Sequence, residues 1–360
     1  MRLFARTSRT PIGLDIGGRH VKAVQLERTR GPSGWRMAAA ACFPRAAAGA
    51  ALDATEIRDI AAILARRGFH GNRLVVPVPS EKLMTGVFDV PARGVAVPVD
   101  QIARMELART SRCPPGSFEM GYWDLPTSAR ANRNAQVMAV GCAHGDANAL
   151  LDLFESQGLD VALLDVRSCA LARAASPLVS SPGQIWAILD LGWSAAMLVV
   201  LHGGAIVFSR SLPDSGIRPL HESLRDRLHL DGDVCDFLLN DMGLDNSAAP
   251  RANDQSTIDL PPEARDLLKT HVDALAQELT ASLSYASQEY PDTPPTGLLL
   301  SGSNGQMPGL AELLSAVLGL DVRVLAPSQL VESRPALLES GSSPALIAAL
   351  GLAQVARGDA

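Results

Sequence analysis

IGLDIGGRHVKAVQL, residues 12–26, has a second copy further along the chain in AILDLGWSAAMLVVL, residues 187–201. One offset superposes Leu14 on Leu189, Asp15 on Asp190, Gly17 on Gly192 and Leu26 on Leu201. Each copy reads as a buried apolar strand ending at an aspartate, a glycine turn and a second apolar strand. Each is followed by a third strand, Trp35 to Phe43 in the first copy and GGAIVFSR in the second. Two three-strand meanders in one chain predict an α/β fold of two homologous lobes.

Working outward from the copies, TEIRDIAAILARR (55–67) places Ile57, Ile60, Ala61 and Leu64 on one helical face, with Gly68 as a stop. LVVPVP (74–79) is a proline-broken strand. Residues 83–158 change character: an extended piece, a helix from Val99, the strands FEMGYWDL and AQVMAVGCA, and a helix through Leu153 predict a small inserted α+β subdomain. The first lobe is then residues 11–82, resumed at 159–184 by the strand-to-helix segment VALLDVRSCALARA. The second lobe is 185–340, and 341–360 form a C-terminal helix and tail. Within the second lobe we expect helices at 216–229, 233–242 and 264–290, a polar loop at 245–262, and the turn SGSNG (301–305) between a strand and a helix.

The 360 residues are 47% hydrophobic with a net charge of −6, enough apolar content for large cores and without the basic excess of a nucleic-acid binder. The five cysteines are widely spaced and form no CxxC pair. A reduced compartment fits them, with Cys42, Cys142 and Cys169 read as small buried hydrophobes. The basic start MRLFARTSRTP lacks the apolar stretch of a signal peptide. Residues 185–208 approach the length of a membrane span, but Asp190, Gly192, Gly203 and Gly204 break them into strands.

An aspartate at the end of a buried strand, followed by glycines, can hold a metal-bound water while backbone amides approach phosphates. Asp15 with Gly17 and Gly18 has that form, and Asp190 with Gly192 repeats it, so the two carboxylates are expected to face one another around Mg²⁺. Lys22 could reach the phosphates or be an ordinary solvated lysine, and Ser194 could donate to a phosphate oxygen. Gly302, Ser303 and Asn304 of the third turn could lie against a planar base. His202, His221 and His229 have no ligand spacing around them, and the GxSxG, P-loop and GxGxxG motifs are absent. Asp165 is the nearest candidate for a kinase-type base, but reads first as a structural carboxylate at a helix start.

These motifs resemble the actin, DnaK and sugar-kinase superfamily, which has a duplicated, ribonuclease H-like fold. Within it the chain resembles the PilM family of type IV pilus assembly proteins, relatives of FtsA. IGLDIGGRHVKAVQL and ILDLGWSAAMLVV look like the two phosphate segments, and LLLSGSNGQMPGLAELL looks like the adenosine segment. VPVPSEKLMTGVFDVP, QIARMELARTSRCPP and LLDLFESQGLDVALLDV point to PilM in particular. The resemblance implies a cytoplasmic scaffold that binds ATP with Mg²⁺ more than it hydrolyses it. It also implies peripheral attachment to the inner membrane through the N-terminal tail of a PilN-like membrane protein, with Arg104 and Glu106 at that surface. Pilus motor components are implied as further partners, self-association stays open, and neither nucleic acid nor a membrane span is expected. The alternatives are an ATPase or small-molecule kinase of the same fold, and a nucleotide-free scaffold of a type II secretion-like system. Arg19 and His20 stand where the family has small hydroxyl residues, Trp193 where it has a small one, and Leu239 where it has a lysine. Ser303 and Asn304 replace glycines, and Asp236 replaces a glutamate. These departures imply a weakened or lost nucleotide site.

Overall fold

The computed structural model describes residues 9–31, 33–91, 98–127, 135–244 and 261–355. The first part of the chain runs β1 (Ile12–Ile16), β2 (His20–Arg28), β3 (Trp35–Pro44), α1 (Ala54–Arg66) and β4 (Arg73–Pro77). Then come β5 (Leu83–Val90), α2 (Val99–Ser111), β6 (Phe118–Asp124), β7 (Ala135–Ala143) and α3 (His144–Glu155), followed by β8 (Asp160–Asp165) and α4 (Arg167–Val179). The second part is β9 (Ile185–Leu191), β10 (Ala196–His202), β11 (Ala205–Leu212), α5 (Ile217–Leu228), α6 (Gly232–Phe237), α7 (Pro262–Glu289), β12 (Pro295–Ser301), α8 (Leu310–Leu318) and β13 (Asp321–Val324). It closes with β14 (Glu332–Ser333), α9 (Leu338–Ser342) and α10 (Ile347–Ala353).

The duplication is visible hydrogen bond by hydrogen bond. One sheet is ordered β14-β3-β2-β1-β4-β8 and the other β11-β10-β9-β12-β13. In both, three antiparallel strands lead into two parallel ones. Asp15 lies opposite Lys22 and Asp190 opposite Met197, so the two meanders share one register. β1 and β9 are buried along nearly their whole length because elements cover both faces of each sheet, which is why they read as continuous apolar runs. The segment 185–208 accordingly forms strands, and no single described helix is long and apolar enough to cross a membrane.

Between β4 and β8, the strands β5, β7 and β6 form a third, antiparallel sheet against α2, with its own core around Phe88, Leu107, Phe118 and Val137. This insertion also touches the second lobe: Trp123 Nε1 donates to Ile206 O at 2.8 Å, and Tyr290 Oη to Pro126 O at 3.4 Å.

Three details differ from the sequence expectations. β14 falls inside the stretch assigned to the second lobe, yet pairs in parallel with β3 of the first sheet, anchored by Arg334 on the buried Glu27 at 2.7 Å. Cys42 is exposed, because strand alternation turns it away from the face that buries Ala41 and Phe43. The polar loop expected at 245–262 lies outside the described residues up to 260, and Pro262 already begins α7.

Every residue of α10 is buried, wedged against α4 and β1. The approach is backbone to backbone: a Cβ on Gly351 would overlap Ala170 O, and one on Gly13 would overlap Ala349 O.

Candidate functional site

Three turns and one helix start converge between the lobes. The β1–β2 turn is closed by Gly17 N donating to His20 O at 2.9 Å, and is braced from β3 and its following loop by Arg45 N on Arg19 O and Gly49 N on Gly18 O. Arg45 is itself fixed by Glu56 on α1 at 2.7 Å, where Asp53 caps the helix by accepting from Glu56 N. The β9–β10 turn feeds its carbonyls to α5: Ile217 N donates to Gly192 O and Arg218 N to Trp193 O. That contact needs Gly216, whose Cβ would meet Ala195 N at 2.6 Å. In the third turn Gly302, at φ +89°, packs on Leu191, a conformation glycine adopts without strain.

At the centre the Arg167 guanidinium joins both lobes. Its Nη1 donates to Asp15 Oδ1 at 2.6 Å, while Nε and Nη2 both reach Asp190 Oδ2 at 2.7 Å. Lys22 Nζ donates to Asp15 Oδ2 at 3.2 Å, and Ser301 Oγ to Asp190 Oδ1 at 3.2 Å. All four carboxylate oxygens thus have donors. Burial pushes the Asp15 carboxyl up, but Arg167 and Lys22 together outweigh it and hold the group below its ordinary value. Burial likewise opposes the charge on Arg167, and the two aspartates raise its pKa above the ordinary value. The unit is neutral in sum, with two cations on two anions, which makes its burial tolerable.

At the mouth of the cleft Arg19 pairs with Asp236 and lies 4.6 Å over the ring of Trp193. His221 packs edge-on to the same ring at 5.0 Å and stands 3.4 Å from Asp236.

This duplicated sheet pair with an insertion after the first crossover has counterparts among known proteins. The sequence profile described as type IV pilus assembly protein PilM matches residues 13–356. The chain belongs to the PilM family. Among solved structures, a PilM–PilN type IV pilus biogenesis complex superposes with a TM-score of 0.74 at 22% identity, covering 96% of this chain and 97% of that one. EutJ, an ethanolamine utilization protein of Carboxydothermus hydrogenoformans, gives 0.52 at 14%, covering 96% and 89%. MreB5 of Spiroplasma citri, bound to AMPPNP, gives 0.52 at 12%, covering 94% and 93%. These likenesses establish the actin-like fold. No curated protein matches the chain in sequence.

Asp15, Gly17, Gly18, Lys22, Gly192, Ser194 and Ser303 line the cleft between the lobes, while Gly302 packs on Leu191 and Asp190, Asn304 N donates to Leu191 O, and Asp190 and Asn304 are buried. Lys22 is buried rather than solvated. Arg104 and Glu106 are elsewhere, on α2: Arg104 donates to Phe118 O at 2.9 Å and Glu106 pairs with Arg109. Asp165 has both oxygens engaged, by Val166 N and by Arg173. Sequence reasoning missed Arg167, Ser301 and Gly216. Arg167 had left a signal: a cation opening a helix opposes the positive end of the helix dipole, so it must be employed elsewhere.

The arrangement does not fit Mg²⁺ with a nucleotide tail. Arg167 fills the place between the aspartates, and a Cβ on Gly18 would overlap Ser194 Oγ, so the β1–β2 and β9–β10 turns already touch. The part of the cleft bounded by Gly17, Gly18, Gly192 and Ser303 holds about 150 Å³, against roughly 300 Å³ at the small end of ligand sites, while a larger space of about 500 Å³ opens from Asp15, Gly17 and Gly18 toward α3. Among the described residues no group of three or more His, Cys, Asp or Glu is placed to hold a metal ion.

Proposed function

We propose that this chain is a cytoplasmic scaffold of a type IV pilus assembly platform, holding the N-terminal tail of a PilN-like membrane protein and reaching the inner membrane through it. The observation that carries the reading, beside family membership, is a cavity of about 500 Å³ that runs from Asp15, Gly17, Gly18 and Arg167 of the interlobe cleft to where the first sheet meets α3, at the return of the insertion. Val76, Leu150, Leu153 and Phe154 give it an apolar wall, and Arg45 and Glu81 line it as well. An extended peptide can bury alternate apolar side chains there. In this reading Arg104 orients α2 by holding the first residue of β6 and the segment before it, while Glu106 is presented near the surface for a partner.

The test is calorimetric titration with a synthetic tail peptide of the PilN-like protein from the same organism. Micromolar binding weakened at least tenfold by Leu153→Arg is expected; unchanged affinity in that variant, or no binding by the wild type, rejects the reading.

ATP with Mg²⁺ is a second reading, favoured by the convergence of the three turns on one cleft. It requires Arg167 to release both aspartates. Titration with a non-hydrolysable ATP analogue and Mg²⁺, beside Asp15→Ala and Asp190→Ala controls, separates the two. With Asp165 engaged by Arg173, neither reading assigns it as a base for turnover.

A further inference from the structure

We propose that Arg167 stands in for the divalent cation of the cleft, so that the chain's own guanidinium holds the lobes closed without nucleotide. The argument begins with charge. Asp15 and Asp190 are 0% and 3% exposed, and two unneutralised carboxylates at that depth would repel one another and oppose closure. A cation must lie between them for the lobes to meet. In this chain the cation is covalently supplied, from the first residue of α4, the helix that follows β8.

The geometry suits the task. A guanidinium is planar and offers donors on two edges, so Arg167 addresses Asp15 through Nη1 and Asp190 through Nε and Nη2 together. Lys22 and Ser301 each supply a donor to the remaining oxygens, so no carboxylate oxygen of the pair is without one. Closure is independently visible at two other places. Gly18 and Ser194 are in contact, and Arg19 of the first lobe grips Asp236 of the second. All three contacts join the β1–β2 turn and its neighbours to the β9 side, so the interlobe angle is fixed by protein groups alone. The inference concerns the resting conformation and holds whether or not a tail peptide is bound.

Hydrogen exchange on the full-length wild type, in EDTA and again with Mg²⁺ and AMPPNP, tests it directly. The amides of 17–20 and 192–195 are expected to exchange slowly in EDTA and to be unchanged by the nucleotide. Fast exchange in EDTA that slows on adding Mg²⁺ and AMPPNP overturns the proposal. The charge-balanced double variant Arg167→Gln with Asp190→Asn is expected to speed exchange at both turns at least tenfold while leaving β12 and β13 protected. Unchanged protection in that variant overturns it as well. Manganese paramagnetic resonance adds a second readout: Arg167→Gln alone should gain a Mn²⁺ site that the wild type lacks, and a site already present in the wild type contradicts the substitution of guanidinium for metal. Should the variants fail to fold, the wild-type exchange experiment still decides.

Discussion

Arg19 and Asp236 meet two-on-two across the cleft mouth, Nη1 on Oδ1 and Nη2 on Oδ2, each at 2.5 Å. Both side chains remain a little over a quarter exposed, 27% and 30%, so solvent screens the pair. A double-mutant cycle with Arg19→Ala and Asp236→Ala, read by urea unfolding, should give a coupling of about 1 kcal/mol. Zero coupling would show that the pair contributes no closure energy.

The backbone contact of α10 makes a harsher prediction. Gly351→Ala adds one methyl where Ala170 O already stands, and must push α10 off α4. Overpacking of this kind costs about 1–3 kcal/mol, with the denaturation midpoint as the measure. A neutral Gly351→Ala would mean that α10 slides freely on α4.

Acid should weaken the first lobe. Burial pushes the Glu27 carboxyl up, but Arg334 and Arg36 hold it below its ordinary value, as Arg167 and Lys22 do for Asp15. With folded pKa values depressed, the unfolded chain takes up protons first on acidification. The stabilisation is complete above the ordinary carboxylate range and is lost as pH falls through the folded values. Unfolding free energy should therefore begin to drop below about pH 5 and go on dropping until the folded values have been passed, and Glu27→Gln should flatten that slope. An identical slope in the variant would remove Glu27 from the account.

Trp123 ties the insertion to β11, an outer strand of the second sheet that would otherwise present a bare edge. Trp123→Phe keeps most of the ring's burial and removes the donor, leaving Ile206 O without it. A loss of about 1 kcal/mol is expected, with faster amide exchange over 205–208. Exchange unchanged there would mean that the insertion does not shield this edge.

The duplicated strands and their aspartates were legible because buried strands write themselves as apolar runs and the second copy repeats the first at one offset. Arg167 was not, since its partners lie 152 and 23 residues away and periodicity carries no information on such pairs. Arg19 and Trp193 could be seen as two separate departures from a family pattern; only the fold shows that they are a single contact, cation on ring. β14, two residues long, is too short to leave any hydrophobic period, and what places it is Arg334 reaching Glu27.

The position of α10 has a consequence for biosynthesis. The first lobe stays unfinished until late in its synthesis, because β1 and α4 wait for residues 347–353 to cover them. The second sheet, by contrast, is drawn wholly from residues 185–324 and can assemble before α10 emerges. During that interval the amino-terminal sheet shows bare apolar surface on its α10 side and an uncapped β3 edge, so this lobe rather than its twin is where nascent chains will call on chaperones or go astray.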